Sequence, residues 1–272
     1  MHMVLVPAPH IQGRRTVPYF PLGVLYLHQV LSDAGHECTI YYPAQETAEP
    51  AGPDAAIRRW AAEIVATKPG WVGFSTMCST YPLTLLLARA VKEMSPRTRV
   101  VLGGPQAPAV AEESMAAFPW IGHVVRGEAE DAIVHLIQVI AGAREPGDAA
   151  GLTYRSDGRI LSTPPGPLLA DLDSLPVPDY RAYAPFDEML RRGSPVPALE
   201  FLPMEPGRGC LYGCVFCSTS AFWRRRCRQK SPGALADQIE TVVHEYGVAD
   251  VYFVQDLFLA DRDWLAGFAE AM

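Results

Sequence analysis

The sequence lacks the features of a membrane or exported protein, and it has no excess of positive charge. No run approaches the ~20 apolar residues that a membrane-spanning helix needs. The apolar opening, residues 3–7, is too short for the core of a signal peptide, and no basic segment precedes it. The net charge of −7 argues against a general nucleic-acid binder, which needs a positive surface. These absences predict a cytoplasmic protein.

Two further absences narrow the function classes. No GxGxxG pattern follows the first predicted strand, so the dinucleotide-binding fingerprint is missing. Cysteine is scarce and unevenly spread: Cys38 and Cys78 stand alone, whereas the other four thiols lie between positions 210 and 227. In a reducing compartment such a cluster indicates a metal site before it indicates disulfides.

Residues 1–145 alternate short apolar runs with helical patterns. Strict alternation of strands and helices predicts a parallel sheet covered on both faces, which is an α/β doubly wound, Rossmann-like domain. The apolar fraction of 49% is enough for a packed core. The predicted strands are 3–7, 39–42, 71–75, 100–102 and 123–125, and the predicted helices are 22–34, 55–66, 83–94, 109–118 and 131–141.

Two shorter regions follow this domain. Residues 146–197 contain a predicted β-hairpin around Asp157 and Gly158. Several prolines come next, a density that excludes regular helix and predicts an extended connection. Residues 198–272 then predict the opening of a (β/α) domain. Its predicted elements are a strand (198–203), a glycine- and cysteine-bearing loop, a helix (232–246), a second strand (251–254) and a final helical stretch.

The loop of residues 207–217 carries most of the functional information. Its thiols, Cys210, Cys214 and Cys217, are spaced CxxxCxxC. Three thiolates can hold three irons of a cubane cluster, and the fourth iron then keeps the open position that catalysis at a metal needs. Two other interpretations stay open: a closed zinc site completed by Cys227, and structural thiols without a metal.

The motif resembles the radical S-adenosylmethionine superfamily, in which CxxxCxxC, with an aromatic residue before the third cysteine, follows the first strand of a (β/α) domain. The resemblance implies that Cys210, Cys214 and Cys217 ligate a 4Fe-4S cluster and that Phe216 packs near the adenine. In that family the free iron binds the amino and carboxylate groups of S-adenosylmethionine. One-electron reduction then yields a 5′-deoxyadenosyl radical, which abstracts hydrogen from the substrate.

Flanking segments resemble the cobalamin-dependent branch of that superfamily. The matching segments around the loop are residues 208–210 and 223–232. Gln255 and Asp256 end the second strand of this region and match a segment that lies beside the bound methionine moiety. The resemblance therefore implies S-adenosylmethionine contacts for both residues, and a plain strand-end turn is the alternative.

The first 145 residues resemble the cobalamin-binding domains of the same branch. Residues 21–27 and 33–37 match the first helix and its exit, and further segments match at the ends of the third, fourth and fifth strands. Open parallel sheets bind ligands at these strand ends, where small residues let a bulky nucleotide tail approach the backbone. A tight strand-to-helix turn is the alternative for the glycine pair. The implied cobalamin contacts are Ser75, Thr76, Gly103, Gly104, Pro105, Gly127 and Glu128.

His10 is a candidate cobalt ligand. The base-off cobalamin pattern is DxHxxG, and His10 and Gly13 match it. Ala8 stands where the pattern has the aspartate that would orient the imidazole, and a ligating histidine usually has such a partner. A solvated loop histidine is the alternative.

A basic run, residues 224–230, carries five positive charges beside Trp223. Basic residues interleaved with an aromatic residue can contact RNA, although a charge run is more often a solvated face. RNA-modifying methylthiotransferases of the superfamily have a second cysteine set in their N-terminal domain. Cys38 and Cys78 are too few and too far apart for such a set, which argues against a nucleic-acid partner.

Together the resemblances imply an enzyme with cobalamin, a 4Fe-4S cluster and S-adenosylmethionine as cofactors. We expect methyl transfer to an unactivated carbon or phosphorus centre of a small molecule, natural product or peptide, with flavodoxin or ferredoxin as electron donor. Cyclisation or rearrangement by the same cofactors is one alternative. A non-catalytic cobalamin-binding module is another, because the sequence offers only the opening βα units of the family barrel. Neither the substrate nor the catalytic residues can be identified from these motifs.

Overall fold

A computed structural model of the protein describes residues 2–9, 20–43, 52–183, 186 and 201–272. The chain forms two compact units. Unit 1 comprises Met1–Pro167 and Asp179–Pro185, and unit 2 comprises Leu168–Pro178 and Phe186–Met272. The structure therefore distributes the proline-rich segment between the two units.

Unit 1 is built on a seven-stranded sheet, whose order within the described residues is β2-β1-β3-β4-β5-β6-β7. Strands β1 to β5 are parallel, and β6 and β7 continue the sheet in antiparallel pairing. The strands are β1 (Met3–Val6), β2 (Cys38–Ile40), β3 (Trp71–Ser75), β4 (Arg99–Gly103), β5 (His123–Val125), β6 (Leu152–Ser156) and β7 (Arg159–Ser162).

Helices connect the parallel strands, and their apolar faces pack against the sheet. Trp60, Ile64 and Leu87 from these helices are buried in one core with Phe74 and Leu102 from the strands. The central strands are buried on both faces, as the continuous apolar runs predict, so the doubly wound domain is confirmed. The helices are α1 (Leu22–Asp33), α2 (Pro53–Ala66), α3 (Tyr81–Met94), α4 (Ala111–Ala117) and α5 (Glu130–Ile140), with 3₁₀ turns at Cys78–Thr80, Ala107–Val110, Pro146–Asp148 and Tyr180–Ala182.

The predicted hairpin forms and belongs to the sheet of unit 1. Asp157 and Gly158 at its tip have φ values of 49° and 76°, the left-handed pair that a two-residue turn between right-twisted strands requires. Strand β6 pairs with β5, where Val124 lies opposite Thr153. The hairpin therefore extends the domain sheet instead of lying in the connection.

Unit 2 contains a parallel pair of strands and a short antiparallel ribbon. Strand β8 pairs with β11, with Leu202 opposite Val251. None of the helices in the described ranges is long and apolar enough to cross a membrane. The elements are β8 (Phe201–Met204), β9 (Gly207–Gly209), α6 (Thr219–Phe222), β10 (Cys227–Gln229), α7 (Pro232–Tyr246), β11 (Asp250–Phe253) and α8 (Arg262–Ala271).

Candidate cofactor sites

The predicted cobalamin contacts of unit 1 share one edge of its sheet. From β1 the chain moves to β2 on one side and returns to β3 on the other, so the strand order reverses between β1 and β3. Ligands of open parallel sheets bind outside the carboxyl ends of the strands at such a reversal. Ser75, Gly103 and Val125 end strands β3, β4 and β5 at that edge.

Thr76 ties the loops after β3 and β4 together. Its hydroxyl donates to Gly103 O at 2.6 Å and accepts from the Ala107 N–H at 2.8 Å. Its own N–H also donates to Gly103 O, at 2.9 Å. The Thr76 side chain is fully buried, so its hydroxyl serves the contact between the loops. The cobalamin contact predicted for Thr76 stays a prediction, and the hydroxyl is used inside the protein, between the two loops.

The glycine pair after β4 does two different things. Gly104 has a φ of 85°, and a Cβ there would lie 2.7 Å from Thr76 N, so glycine is required for the two loops to touch. At Gly103 a Cβ would meet no atom within 4 Å, and the same holds for Gly127 after β5. The backbone is therefore open to a bulky ligand at Gly103 and Gly127, which fits a cobalamin tail.

The loop after β5 is held by Arg126. Its N–H donates to Gly151 O at 2.7 Å, and its guanidinium donates to the carbonyl oxygens of Leu152 and Thr163. Burial lowers the pKa of Arg126. These bonds fix the start of the segment that carries Gly127 and the half-buried Glu128.

Two other candidates of unit 1 remain, Pro105 and His10. Pro105 is exposed beside the glycine pair. His10 lies outside the described residues, so its role as a cobalt ligand stays a prediction.

In unit 2 the strands β9 and β10 close the base of the cysteine loop. Gly207 lies opposite Gln229, and Gly209 lies opposite Cys227. A Cβ at Gly209 would overlap Arg226 O, and a Cβ at Gly207 would lie 2.7 Å from the Gln255 amide nitrogen. The two glycines therefore allow the ribbon to close tightly, and Cys210 follows it directly.

The thiols of Cys210, Cys214 and Cys217 form no disulfide, and Cys214 is exposed. The Thr219 hydroxyl, the Thr219 N–H and the Ser220 N–H hydrogen-bond to the Cys217 thiol and hold its pKa below the usual value. Among the described residues, no three His, Cys, Asp or Glu side chains form a group that could hold a metal ion. The loop thus offers thiolate donors, and the cluster itself stays a prediction.

Cys227, which the sequence offers only as the fourth ligand of a zinc site, is paired next to the first cysteine of the motif. It is paired with Gly209, the residue before Cys210. Its Sγ is 3.8 Å from Gln255 Nε2 and 3.8 Å from Leu257 O, and burial raises its pKa. A separation of ten residues from Cys217 gives no sign of this closeness, because the strand pairing creates it.

Gln255 and Asp256 come to the cysteine loop from the end of β11. The Gln255 amide donates to Leu257 O at 3.1 Å, and its buried Oε1 has no hydrogen-bond partner in the described part of the chain. Asp256 Oδ1 lies 3.4 Å from the Thr219 hydroxyl, which itself bonds to Cys217. An unsatisfied buried acceptor near the Cys227 thiol, at the base of the cysteine loop, fits a polar ligand such as S-adenosylmethionine.

Phe216, the aromatic residue before the third cysteine, is 89% exposed. In the described residues it packs into no core, so its side chain is accessible to a ligand. Phe216 therefore has no packing role within the described residues. The residues after β11 lie next to the loop that carries the three cysteines, since Asp256 and Cys217 share Thr219 as a partner.

Two cationic side chains at the base of the cysteine loop, Arg208 and Lys230, are buried. The sequence pattern did not predict their burial. Arg208 donates to Glu205 at 2.8 Å, and Lys230 donates to Gln238 Oε1 at 2.7 Å. Lys230 is 1% exposed, and burial lowers its pKa to about 8. The basic run is thus not one solvated face: Arg224, Arg225 and Arg226 are exposed, whereas Lys230 is in the core.

Comparison with known proteins confirms the cobalamin-binding resemblance. Residues 13–137 match the family model described as B12 binding domain. An uncharacterized methyltransferase of Pyrococcus horikoshii is 29% identical over 242 residues, which are 89% of this chain and 50% of that protein. An anaerobic magnesium-protoporphyrin IX monomethyl ester cyclase of Rubrivivax gelatinosus is 27% identical over 254 residues, 89% of this chain and 41% of that protein.

A solved structure shows the same fold. The radical S-adenosylmethionine methyltransferase TsrM from Kitasatospora setae, with cobalamin and a 4Fe-4S cluster bound, matches with a TM-score of 0.64 at 18% identity. The match covers 94% of this chain and 47% of that one. It confirms the predicted fold, a doubly wound α/β domain followed by βα structure. The chain spans about half the length of the curated relatives it matches.

Proposed function

We propose that this relative of cobalamin-binding radical S-adenosylmethionine proteins works as a methyltransferase with cobalamin, a 4Fe-4S cluster and S-adenosylmethionine. The main support is that one chain combines a match to the B12 binding domain with three disulfide-free thiols, spaced CxxxCxxC on one loop. When bound, these groups supply an electron, a radical that abstracts hydrogen, and a methyl group.

In unit 2 different residues of and near the cysteine loop bind the cluster and S-adenosylmethionine. Cys210, Cys214 and Cys217 hold the cluster, and the hydrogen bonds from Thr219 favour the thiolate form of Cys217. Gln255 offers its unsatisfied Oε1 to the amino group of S-adenosylmethionine. Asp256, the next residue, lies beside Thr219 and is the second candidate for the same ligand. Phe216 covers the adenine.

In unit 1 the loops at the carboxyl edge of the sheet hold cobalamin. Gly103 and Gly127 let the nucleotide tail approach the backbone, because no atom occupies the place of a side chain. Ser75, Gly104, Pro105 and Glu128 line the same edge. Thr76 acts from beneath by fixing two of the loops to each other.

We propose an unactivated carbon or phosphorus centre of a small molecule, natural product or peptide as methyl acceptor, and flavodoxin or ferredoxin as electron donor. The methyltransferase relative supports methyl transfer. Similarity to an anaerobic cyclase supports ring closure with the same cofactors as the second candidate. A cytoplasmic location agrees with the free thiols.

The test is anaerobic reconstitution with iron, sulfide and aquacobalamin, followed by assays of metal, sulfide, bound corrinoid and released 5′-deoxyadenosine. We expect about four irons per chain, bound corrinoid and reductant-dependent 5′-deoxyadenosine. Cys214→Ala should lose the cluster and keep the corrinoid, whereas Cys78→Ala, which removes an exposed thiol of unit 1, should lose neither. A colourless protein with zinc and no labile sulfide would overturn the proposal.

A further inference from the structure

Three exposed arginines form the turn between α6 and β10, which follows the cysteine loop in the sequence. Arg224 and Arg225 both have a φ of 53°, the left-handed backbone that side chains other than glycine rarely adopt. The guanidinium groups of Arg224, Arg225 and Arg226 belong to exposed residues. Because such backbone is costly and persists where surrounding structure fixes it, this turn is a built feature of the loop.

The turn is fixed against the thiol-bearing segment. The Arg225 guanidinium lies on Gly213, where an added Cβ would be 2.9 Å from Arg225 Cζ. The Arg226 N–H donates to Trp223 O at 3.0 Å, and the Arg225 N–H donates to Ser220 O at 3.0 Å. Gly213 is the residue before Cys214, so the Arg225 guanidinium lies directly beside the candidate cluster site, and Arg224 and Arg226 flank it in the turn.

Apolar side chains are exposed along the same loop. Leu211, Tyr212 and Val215 are 56%, 63% and 103% exposed, although they are large and apolar. An apolar patch beside a cluster of one charge is the composition of a protein-docking surface. The local positive charge is the reverse of the chain's net charge of −7, so an acidic partner would be attracted here and repelled elsewhere.

We propose that the turn of Arg224, Arg225 and Arg226, with the exposed apolar residues of the cysteine loop, is the docking surface for an acidic one-electron carrier protein. The inference rests on the proposed function. The reduced carrier loses one electron, the oxidised cluster gains it, and no bond or proton is exchanged. Electron-transfer encounters use small interfaces and depend on electrostatic attraction for speed, which three adjacent cations next to the acceptor supply.

The experiment measures anaerobic stopped-flow reduction of the reconstituted cluster by reduced acidic flavodoxin. The compared variants are Arg226→Glu, Arg226→Lys and Arg97→Glu, which makes the same charge change at an exposed residue of unit 1. We expect the second-order rate at low salt to fall about tenfold in Arg226→Glu and to change little in the other two. The wild-type rate should fall as salt is raised.

Photoreduced 5-deazaflavin, a small reductant that needs no docking surface, separates this inference from the proposed function. Equal cluster reduction of all variants by deazaflavin shows that the cluster is intact. A flavodoxin rate that is independent of salt, or equally slowed by Arg97→Glu, would overturn the docking surface alone. A wild-type protein that neither reductant reduces would overturn the proposed function and this inference with it.

RNA is the competing partner for a basic turn beside aromatic side chains. Fluorescence anisotropy with a single-stranded RNA oligonucleotide tests it on the same variants. Tight RNA binding that Arg226→Glu abolishes, together with an unchanged flavodoxin rate, would contradict the carrier surface and assign the turn to RNA.

Discussion

The hydroxyl of Thr76, which follows β3, has two partners, Gly103 O and the Ala107 N–H. Gly103 ends the neighbouring strand β4, and Ala107 lies in the turn after that strand. A threonine after a strand gives no sequence signal for such a role. Gly104 was identifiable from its position, and its reason is physical: a side chain there would meet the Thr76 backbone. At the residue scale, motif positions were predictable and their partners were not, because the partners depend on packing between distant segments.

Thr76→Val should weaken corrinoid binding about tenfold, or ~1.4 kcal/mol, because the loops lose their mutual contact. Thr98→Val is the matched control. Thr98 is also buried, and its hydroxyl donates to Pro69 O at 3.1 Å, but it precedes β4 at the opposite edge of the sheet. Both variants should lose about 1–2 kcal/mol of unfolding free energy. Titration of each protein with aquacobalamin is the measurement, and equal affinities in the two variants would contradict the role given to Thr76.

Helix ends show which elements the sequence could predict. Helix α7 covers Pro232–Tyr246, the range predicted from the sequence, and at its start the Ser231 hydroxyl accepts from the Ala234 N–H at 3.3 Å. The helix predicted for residues 55–66 begins two residues earlier, at Pro53, with Gly52 before it, so Asp54 is not its cap. Asp54 instead lies in the first turn, where its charge faces the positive end of the helix. Local signals set these starts to within a residue or two.

Contacts between secondary-structure elements could not be predicted from local sequence patterns. Lys230 looks like the end of a basic surface run, yet it is buried where the ribbon of β9 and β10 meets α7. Asp173 accepts from the Ser231 N–H at 2.8 Å, and Leu175 O accepts from Gln238. The proline-rich segment, which the sequence predicts to be a connection, is therefore partly packed into unit 2. Only contacts between residues distant in sequence show this.

Lys230 should make stability depend on alkaline pH. Burial lowers its pKa from 10.5 to about 8 in the folded chain, so between these values the unfolded chain binds more protons. Stability should therefore rise with pH across this window, by about 3 kcal/mol in wild type relative to Lys230→Met. Denaturant unfolding at several pH values measures it, with Lys68→Met, an exposed lysine, as control. If the unfolding free energies of wild type and Lys230→Met change with pH in parallel, the lowered pKa of Lys230 is contradicted.

At the scale of the molecule, the two predicted cofactor regions fall in the two units. The B12 binding domain match, residues 13–137, lies in unit 1, and the cysteine loop lies in unit 2. The candidate contacts of unit 1 follow the carboxyl ends of parallel strands, and so do Gln255 and Asp256 after β11. The cysteine loop instead leaves the antiparallel ribbon of β9 and β10. Strand ends could be predicted from the motif positions, whereas the ribbon depends on pairing between distant segments, which the sequence pattern does not reveal.

The central claim is that the cysteine loop holds a cluster with an iron open to S-adenosylmethionine. Electron paramagnetic resonance of the reduced, reconstituted chain, recorded with and without S-adenosylmethionine, tests it most directly. The account predicts a cluster signal whose g-values change when S-adenosylmethionine is added, and loss of the signal in Cys214→Ala. A cluster signal that is indifferent to S-adenosylmethionine would contradict the claim and leave the cobalamin domain as the functional part of this chain.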